Sequence, residues 1–302
     1  MASRVRPLIC CAALLLTPLA SHSLAAPLPS QGRITILDDA FGKNPALGPD
    51  WGYSALIEFQ GKRILFDTGG SAALYPKNLA RLHVDLSHLD LLIVSHAHAD
   101  HTSGLRYVLS LNPNVSICVP DDPFFTGKEV PQGFMTTDAA PTLPTEMRYF
   151  GGKPPAHIKD WQSFNDTRMT VITGPTTIAP HIRLVALTSA RPAFLGLREI
   201  SLILDSPKGP IVIAGCSHPG IEAIMAEATA NSTTPVYMLF GGLHMVEDTR
   251  DQIAATLTLL ADRYHVQKMA VGHCTGELAF LMIQQKWGKN DEYAGLGETI
   301  NF

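Results

Sequence analysis

Four aliphatic runs in this chain each break off at histidine among small residues. Leu91–Val94 runs into Ser95-His96-Ala97-His98-Ala99-Asp100-His101, and Ile211–Ala214 into Gly215-Cys216-Ser217-His218. Val236–Phe240 runs into Gly241-Gly242-Leu243-His244, and Met269–Val271 into Gly272-His273-Cys274-Thr275-Gly276. Ligands in α/β sheets bind at the carboxyl ends of strands. Four polar clusters at four strand ends therefore point to a shared ligand site.

The first cluster is the sharpest. Three histidines and one aspartate within six residues make a poor core sequence, because burying them costs several kcal/mol unless they are paired or metal-bound. Ala97 and Ala99 are small enough for a tight turn that lets alternate side chains converge. His96 and His98 can serve one metal, and Asp100 and His101 a second, as a two-metal hydrolytic site requires. His218 and His273 are further candidate ligands, and His244 follows the same positional rule. Asp67 closes the run Ile64-Leu65-Phe66 before Thr68-Gly69-Gly70. It reads either as a carboxylate that orients a ligand histidine or as a turn-forming Asp. His83, His88, His157, His181 and His265 lie in polar or irregular stretches and read as surface residues.

Other strand-like runs are Ile34–Leu37, Ala55–Phe59, Arg63–Phe66, Val115–Val119, Ile182–Leu187 and Ile200–Leu204, with Gln60-Gly61 as a turn between two of them. Helical spacing follows several runs: Leu105, Val108 and Leu109; Ile221, Ile224, Met225 and Ala228, with Pro219 in the first turn; and Ile253, Leu257, Leu260 and Tyr264. Hairpins in one half and strand–helix alternation in the other give an α/β (α+β) chain of two sheets covered by helices. Between about 120 and 180, periodicity fades and Pro and Gly interleave with Phe124, Phe125, Phe134, Tyr149, Phe150, Trp161 and Phe164. That insertion reads as an ordered lid or pocket wall.

Residues 1–25 read as a secretory signal peptide, with Arg4 and Arg6, an apolar Leu8–Leu19 and the cleavage site Ser23-Leu24-Ala25. Residues 26–302 form the remaining domain, exported to a periplasmic or extracellular location. The apolar run is shorter than the roughly 20 residues of a membrane span, so stable membrane insertion is not expected. Loss of Arg4 and Arg6, and of no acid, takes the charge from −4 to −6, which argues against nucleic acid as a partner; the expected partner is a small-molecule substrate. Cys118, Cys216 and Cys274 remain of five cysteines. An odd number excludes a fully paired disulfide framework. Oligomeric state is not legible.

His96-x-His98-x-Asp100-His101, preceded by Phe66-Asp67-Thr68-Gly69, resembles the metallo-β-lactamase superfamily from about Ile34 to Phe302. The finer resemblance is to 7,8-dihydropterin-6-yl-methyl-4-(β-D-ribofuranosyl)aminobenzene 5′-phosphate synthase-like proteins. It rests on Trp51-Gly52-Tyr53-Ser54, the His-rich motif, Gly-Cys-Ser-His-x-Gly, Gly-Gly-x-His and His-Cys-Thr-Gly. The resemblance implies an αββα sandwich of two mixed sheets with a metal site at one edge. It also implies that Asp67 supports a ligand. Two departures stand out. Leu187-Thr188-Ser189-Ala190-Arg191 has no histidine where the superfamily supplies a third ligand, and Cys216 stands where a bridging Asp is usual. His218 then serves as the third ligand, and Cys216 is a thiolate ligand, a group behind the ligands or a small buried residue.

The resulting expectation is a secreted metal-dependent hydrolase. His96, His98 and His218 hold one metal and Asp100, His101 and His273 the other. Asp100 orients a metal-bound hydroxide toward an ester, lactone, amide or phosphodiester, while Asp67 and Cys216 support the ligands. His244 and Thr275 face the substrate. Two Zn(II) ions suit the donors, with Mn or Fe as alternatives. Other readings are an iron-dependent, sulfur dioxygenase-like oxidoreductase, a pterin-related phosphoribosyl synthase-like activity and a non-catalytic binder of a heteroaromatic ligand.

Overall fold

The computed structural model describes residues 31–122, 143–153 and 169–302. The signal-peptide reading of residues 1–25 lies outside them. So do Phe124, Phe125, Phe134, Trp161 and Phe164 of the expected lid, and His157 of the expected surface histidines. Among the described residues no helix is long and apolar enough to cross a membrane.

Two mixed sheets carry the fold. The first contains β1 (Gly32–Asp38), β2 (Ser54–Phe59), β3 (Lys62–Phe66), β4 (Leu91–Ile93), β5 (Ser116–Pro120), β6 (Met169–Ile172) and β13 (Thr299–Asn301), in the order β13-β1-β2-β3-β4-β5-β6. The second contains β7 (Thr176–Ala179), β8 (Ile182–Thr188), β9 (Arg198–Ser206), β10 (Gly209–Ala214), β11 (Met238–Gly241) and β12 (Lys268–Val271), in the order β12-β11-β10-β9-β8-β7. Gln60 and Gly61 join β2 to β3 with φ of 54° and 71°, the positive pair that suits a tight hairpin.

The strands read as continuous hydrophobic runs because both faces are covered. Ile64 and Phe66 of β3 and Ile211 and Ile213 of β10 meet in the core between the sheets. Leu65 faces outward with Leu79 of α1 (Tyr75–Arg81) and Leu105 and Val108 of α3 (Leu105–Leu111), beyond the short α2 (Ala99–Thr102). Val212 and Ala214 face Ile224 of α4 (Ile221–Thr229), Leu257 of α5 (Arg250–Asp262) and Phe280 of α6 (Glu277–Trp287). This is the expected αββα sandwich.

Several details differ from the sequence reading. α4 begins at Ile221 with Gly220 at its N-cap, so Pro219 precedes the helix. The stretch read as irregular up to residue 180 holds β6 and β7, which close the edges of the two sheets. β3, β4 and β5 run parallel, as do β10, β11 and β12. Parallel neighbours bring their carboxyl ends to one edge, which collects the histidine-bearing loops.

Candidate metal centre

The loop after β4 supplies His96, His98, Asp100 and His101, and that after β10 supplies Cys216 and His218. The loop after β12 supplies His273. Their donor atoms fall into three overlapping groups, each within 4.8 Å: His96, His98 and Asp100; His96, Cys216 and His218; and Asp100, His101, Cys216 and His273. His96 Nε2 lies 3.1 Å from His98 Nδ1, and His101 Nε2 lies 3.2 Å from His273 Nε2. Cys216 Sγ is 3.2 Å from both of the latter nitrogens. Ligands at ~2.0–2.1 Å from a tetrahedral ion stand about 3.3 Å apart, so the crowding fits a common ion.

The far sides of these rings are tied down. Asp67 Oδ2 accepts from His101 Nδ1 at 2.7 Å and from Ser95 Oγ at 2.7 Å. Its Oδ1 accepts the Ser95 N–H at 2.6 Å. With its hydroxyl hydrogen given to Asp67, Ser95 Oγ accepts from His96 Nδ1 at 2.8 Å. Glu199 Oε2 accepts from His218 Nδ1 at 2.8 Å. A carboxylate or hydroxyl on Nδ1 fixes the tautomer that leaves the Nε2 lone pair directed inward.

Burial holds His96, His218 and His273 well below the ordinary imidazole pKa, so they are neutral donors. Burial also lowers His98 to about 4. It would depress His101 too, but Asp100 and Asp67 lift that residue to about 9. Burial raises Asp100 and pushes the Cys216 thiol well up. A bound cation reverses that tendency for a thiol and a carboxyl. Asp100 Oδ1 and His273 Nδ1 are buried without a hydrogen-bond partner. Neutral imidazoles, a buried acid and a buried thiol converging on one point fit a transition-metal ion.

Backbone strain concentrates here. Asp67, Ser217, His244 and His273 have φ of 60°, 64°, 47° and 50°, each in the left-handed region that non-glycine residues avoid. Gly215 is required by close approach, because a Cβ there would sit 2.3 Å from Ser95 Oγ.

The profile of the metallo-beta-lactamase superfamily matches residues 47–190. That stretch of the chain is similar to the superfamily and takes in the His96–His101 motif. The chain is similar to a Methanocaldococcus jannaschii protein named 7,8-dihydropterin-6-methyl-4-(beta-D-ribofuranosyl)-aminobenzene-5'-phosphate synthase. Identity is 28% over 289 residues, 89% of this chain and 95% of the relative. A solved metal-dependent hydrolase of the β-lactamase superfamily superposes with a TM-score of 0.61 at 22% identity, covering 89% of this chain and 98% of that one. The metallo-β-lactamase fold protein YhfI from Bacillus subtilis gives 0.54 at 12% identity, covering 90% of this chain and 100% of its own.

Outside the matched stretch, His218 lies beside His96 and His98, with ring centroids 4.6 and 4.8 Å away. Its ring nitrogen falls in one donor group with His96 and Cys216. Cys216, read above as a thiolate ligand, a group behind the ligands or a small buried residue, stands among the donor atoms and belongs to two of the three groups. His244 packs between Phe194 and His218, at 4.6 and 4.8 Å, with its Nδ1 unpartnered.

Thr275 does not face a substrate. It is fully buried, and its Oγ1 accepts the Leu243 N–H at 3.1 Å and donates to Gly241 O at 3.5 Å. It holds the loop that carries His244. His83, His88 and His265 are exposed, as expected, and His181 is half-buried. Glu199 was missed by sequence reasoning. Its position in Arg198-Glu199-Ile200 carries no marker, and its partners lie 17 to 19 residues away.

Proposed function

We propose that this domain is an exported metal-dependent hydrolase of esters, lactones, amides or phosphodiesters. The observation that supports it most is the convergence of buried donors whose rings are held from behind by Asp67 and Glu199. His96, His98 and His218 would hold one zinc ion and Asp100, His101 and His273 a second, with Cys216 between the two groups. Such ions supply Lewis acidity and an acidified water near neutral pH.

The chain's own groups supply the rest. Asp100 Oδ1, buried and unpartnered, is placed to accept a hydrogen bond from the attacking water and orient it. Trp51 steadies the same carboxyl by a side-chain hydrogen bond. Burial lowers the His244 pKa to about 4. Its neutral ring can therefore offer a hydrogen bond to a substrate oxygen without adding charge. The side chain of Phe194 lies over both His218 and His244 and shields them from water.

The test is a panel of aryl esters, lactones, amides and phosphodiesters with the protein loaded with Zn, Mn or Fe. Turnover abolished by a chelator and restored by metal is expected, and inertness toward the whole panel would refute the reading. Oxygen uptake by the iron-loaded protein would replace it with the oxidoreductase reading. The relative from Methanocaldococcus jannaschii favours a second reading, a pterin-related synthase activity, which turnover of that pterin precursor alone would establish. Export is proposed from residues 1–25 and predicts cleavage near Ala25, read by mass spectrometry of secreted protein.

A further inference from the structure

A short connection, residues 189–197, joins β8 to β9 beside the metal centre. It is closed at its base by Ser189 N–H to Leu197 O at 2.7 Å and Gly196 N–H to Ser189 O at 2.9 Å. Ser189 Oγ donates to the carbonyl of His218 at 2.8 Å and accepts the Arg191 N–H at 3.2 Å. One hydroxyl thus pins both the ligand loop and the Arg191 backbone. Phe194, on the same connection, packs 4.5 Å from His218 and 4.6 Å from His244. Arg191 therefore sits on a hydrogen-bonded loop that touches His218 through Ser189 and Phe194.

Its side chain is about one-third exposed and meets Asp248 at 3.6 Å, beyond hydrogen-bond length. Two other arginines are engaged more closely. Arg183 makes two hydrogen bonds to Asp205, at 3.0 and 2.8 Å, and Arg198 bonds the side chain and carbonyl of Asp121. Arg191 also keeps a planar fork suited to two oxygens of one anion.

We propose that Arg191 binds an anionic oxygen group of the substrate, a phosphate or a carboxylate, next to the bond that is cleaved. Resting on the hydrolase reading, this assigns the substrate class as small anions. Arg191 acts as a specificity residue, and Asp248 holds the guanidinium in place until the anion arrives.

The test compares zinc-loaded wild type, Arg191→Gln and Asp248→Asn. Calorimetry measures binding of phenylphosphonate and benzoate, with benzyl alcohol as the uncharged control. Loss of a charge-assisted pair is expected to weaken anion binding by about tenfold or more in Arg191→Gln. Asp248→Asn should bind as tightly as wild type or tighter. Whichever of the two anions binds the tighter distinguishes phosphate from carboxylate. In turnover, Arg191→Gln should raise KM for 4-nitrophenyl succinate with kcat held, and leave 4-nitrophenyl acetate unaffected. Unchanged anion affinity in Arg191→Gln, an equal loss in Asp248→Asn, or a parallel loss on both esters would overturn the proposal. Arg191-dependent anion binding without any turnover would retain it and refute the hydrolase reading instead.

Discussion

Glu199 accepts three backbone N–H groups, from Cys216, Ser217 and His218, besides the His218 ring. Its two oxygens thus shape the whole loop after β10. Glu199→Gln places an amide nitrogen among those donors and releases the ring. We expect metal affinity to fall about 10- to 100-fold, as for other groups that orient ligand histidines, measured by competition with a chromophoric chelator. Unchanged affinity would mean that the loop holds its shape without the carboxylate. Asp67 plays the matching role for His101 and was legible, because a carboxylate closing a strand before Gly beside a histidine motif has a recognisable place. Glu199 was not, because its partners lie on a neighbouring loop. Asp291 offers a prediction about pH. Burial raises its pKa to about 7, above its value in the unfolded chain. The unfolded chain therefore releases this proton first, and stability falls as pH rises from about 4 toward 7. Asp291→Asn should remove that fall and gain about 1–2 kcal/mol at pH 8, with partial exposure allowed for. Denaturant unfolding at pH 5 and pH 8 reads the difference, and an equal gain at both would contradict the assignment.

At the scale of elements, the site is a property of strand ends. Ala at position 215 would press its Cβ against Ser95 Oγ at 2.3 Å and toward Asp67 Oδ2 at 3.2 Å. Gly215→Ala should cost about 1–3 kcal/mol of stability and disturb Asp67, Ser95 and His96 together. Chemical denaturation and metal content check both effects. Strand ends marked by His and Gly were legible because chemistry and turn geometry select the same residues. α6 was not, because Leu278-Ala279-Phe280-Leu281-Met282-Ile283 is apolar without a break and hides the helical period. β6 and β7 were hidden for the opposite reason. They are four-residue edge strands, half-exposed and rich in Thr, where burial imposes no clean alternation.

At the scale of the molecule, the ligands come from both sheets. Asp67 and the His96–His101 motif follow β3 and β4, while Cys216, His218 and His273 follow β10 and β12. The close approach of His101 to His273 therefore spans the sandwich. An ion held there joins two sheets whose shared core is apolar. Removal of metal should lower the thermal midpoint, and excess Zn should restore it, because ligands that bind the folded state stabilise it. Differential scanning calorimetry with and without chelator would show this shift, and coincident transitions would deny the coupling. The two-sheet architecture and most of the converging donor residues were readable, because paired periodicities and metal-ligand chemistry leave residue-level traces. The place of Cys216 among the donors required the packing of one sheet against the other. The central claim is that these buried side chains form a metal centre. It is tested most directly by elemental analysis of dialysed wild-type and His273→Ala protein. About one to two divalent ions per wild-type chain, with a clear loss in the variant, is predicted for such a donor set. A folded wild-type chain that neither retains nor rebinds metal would contradict it.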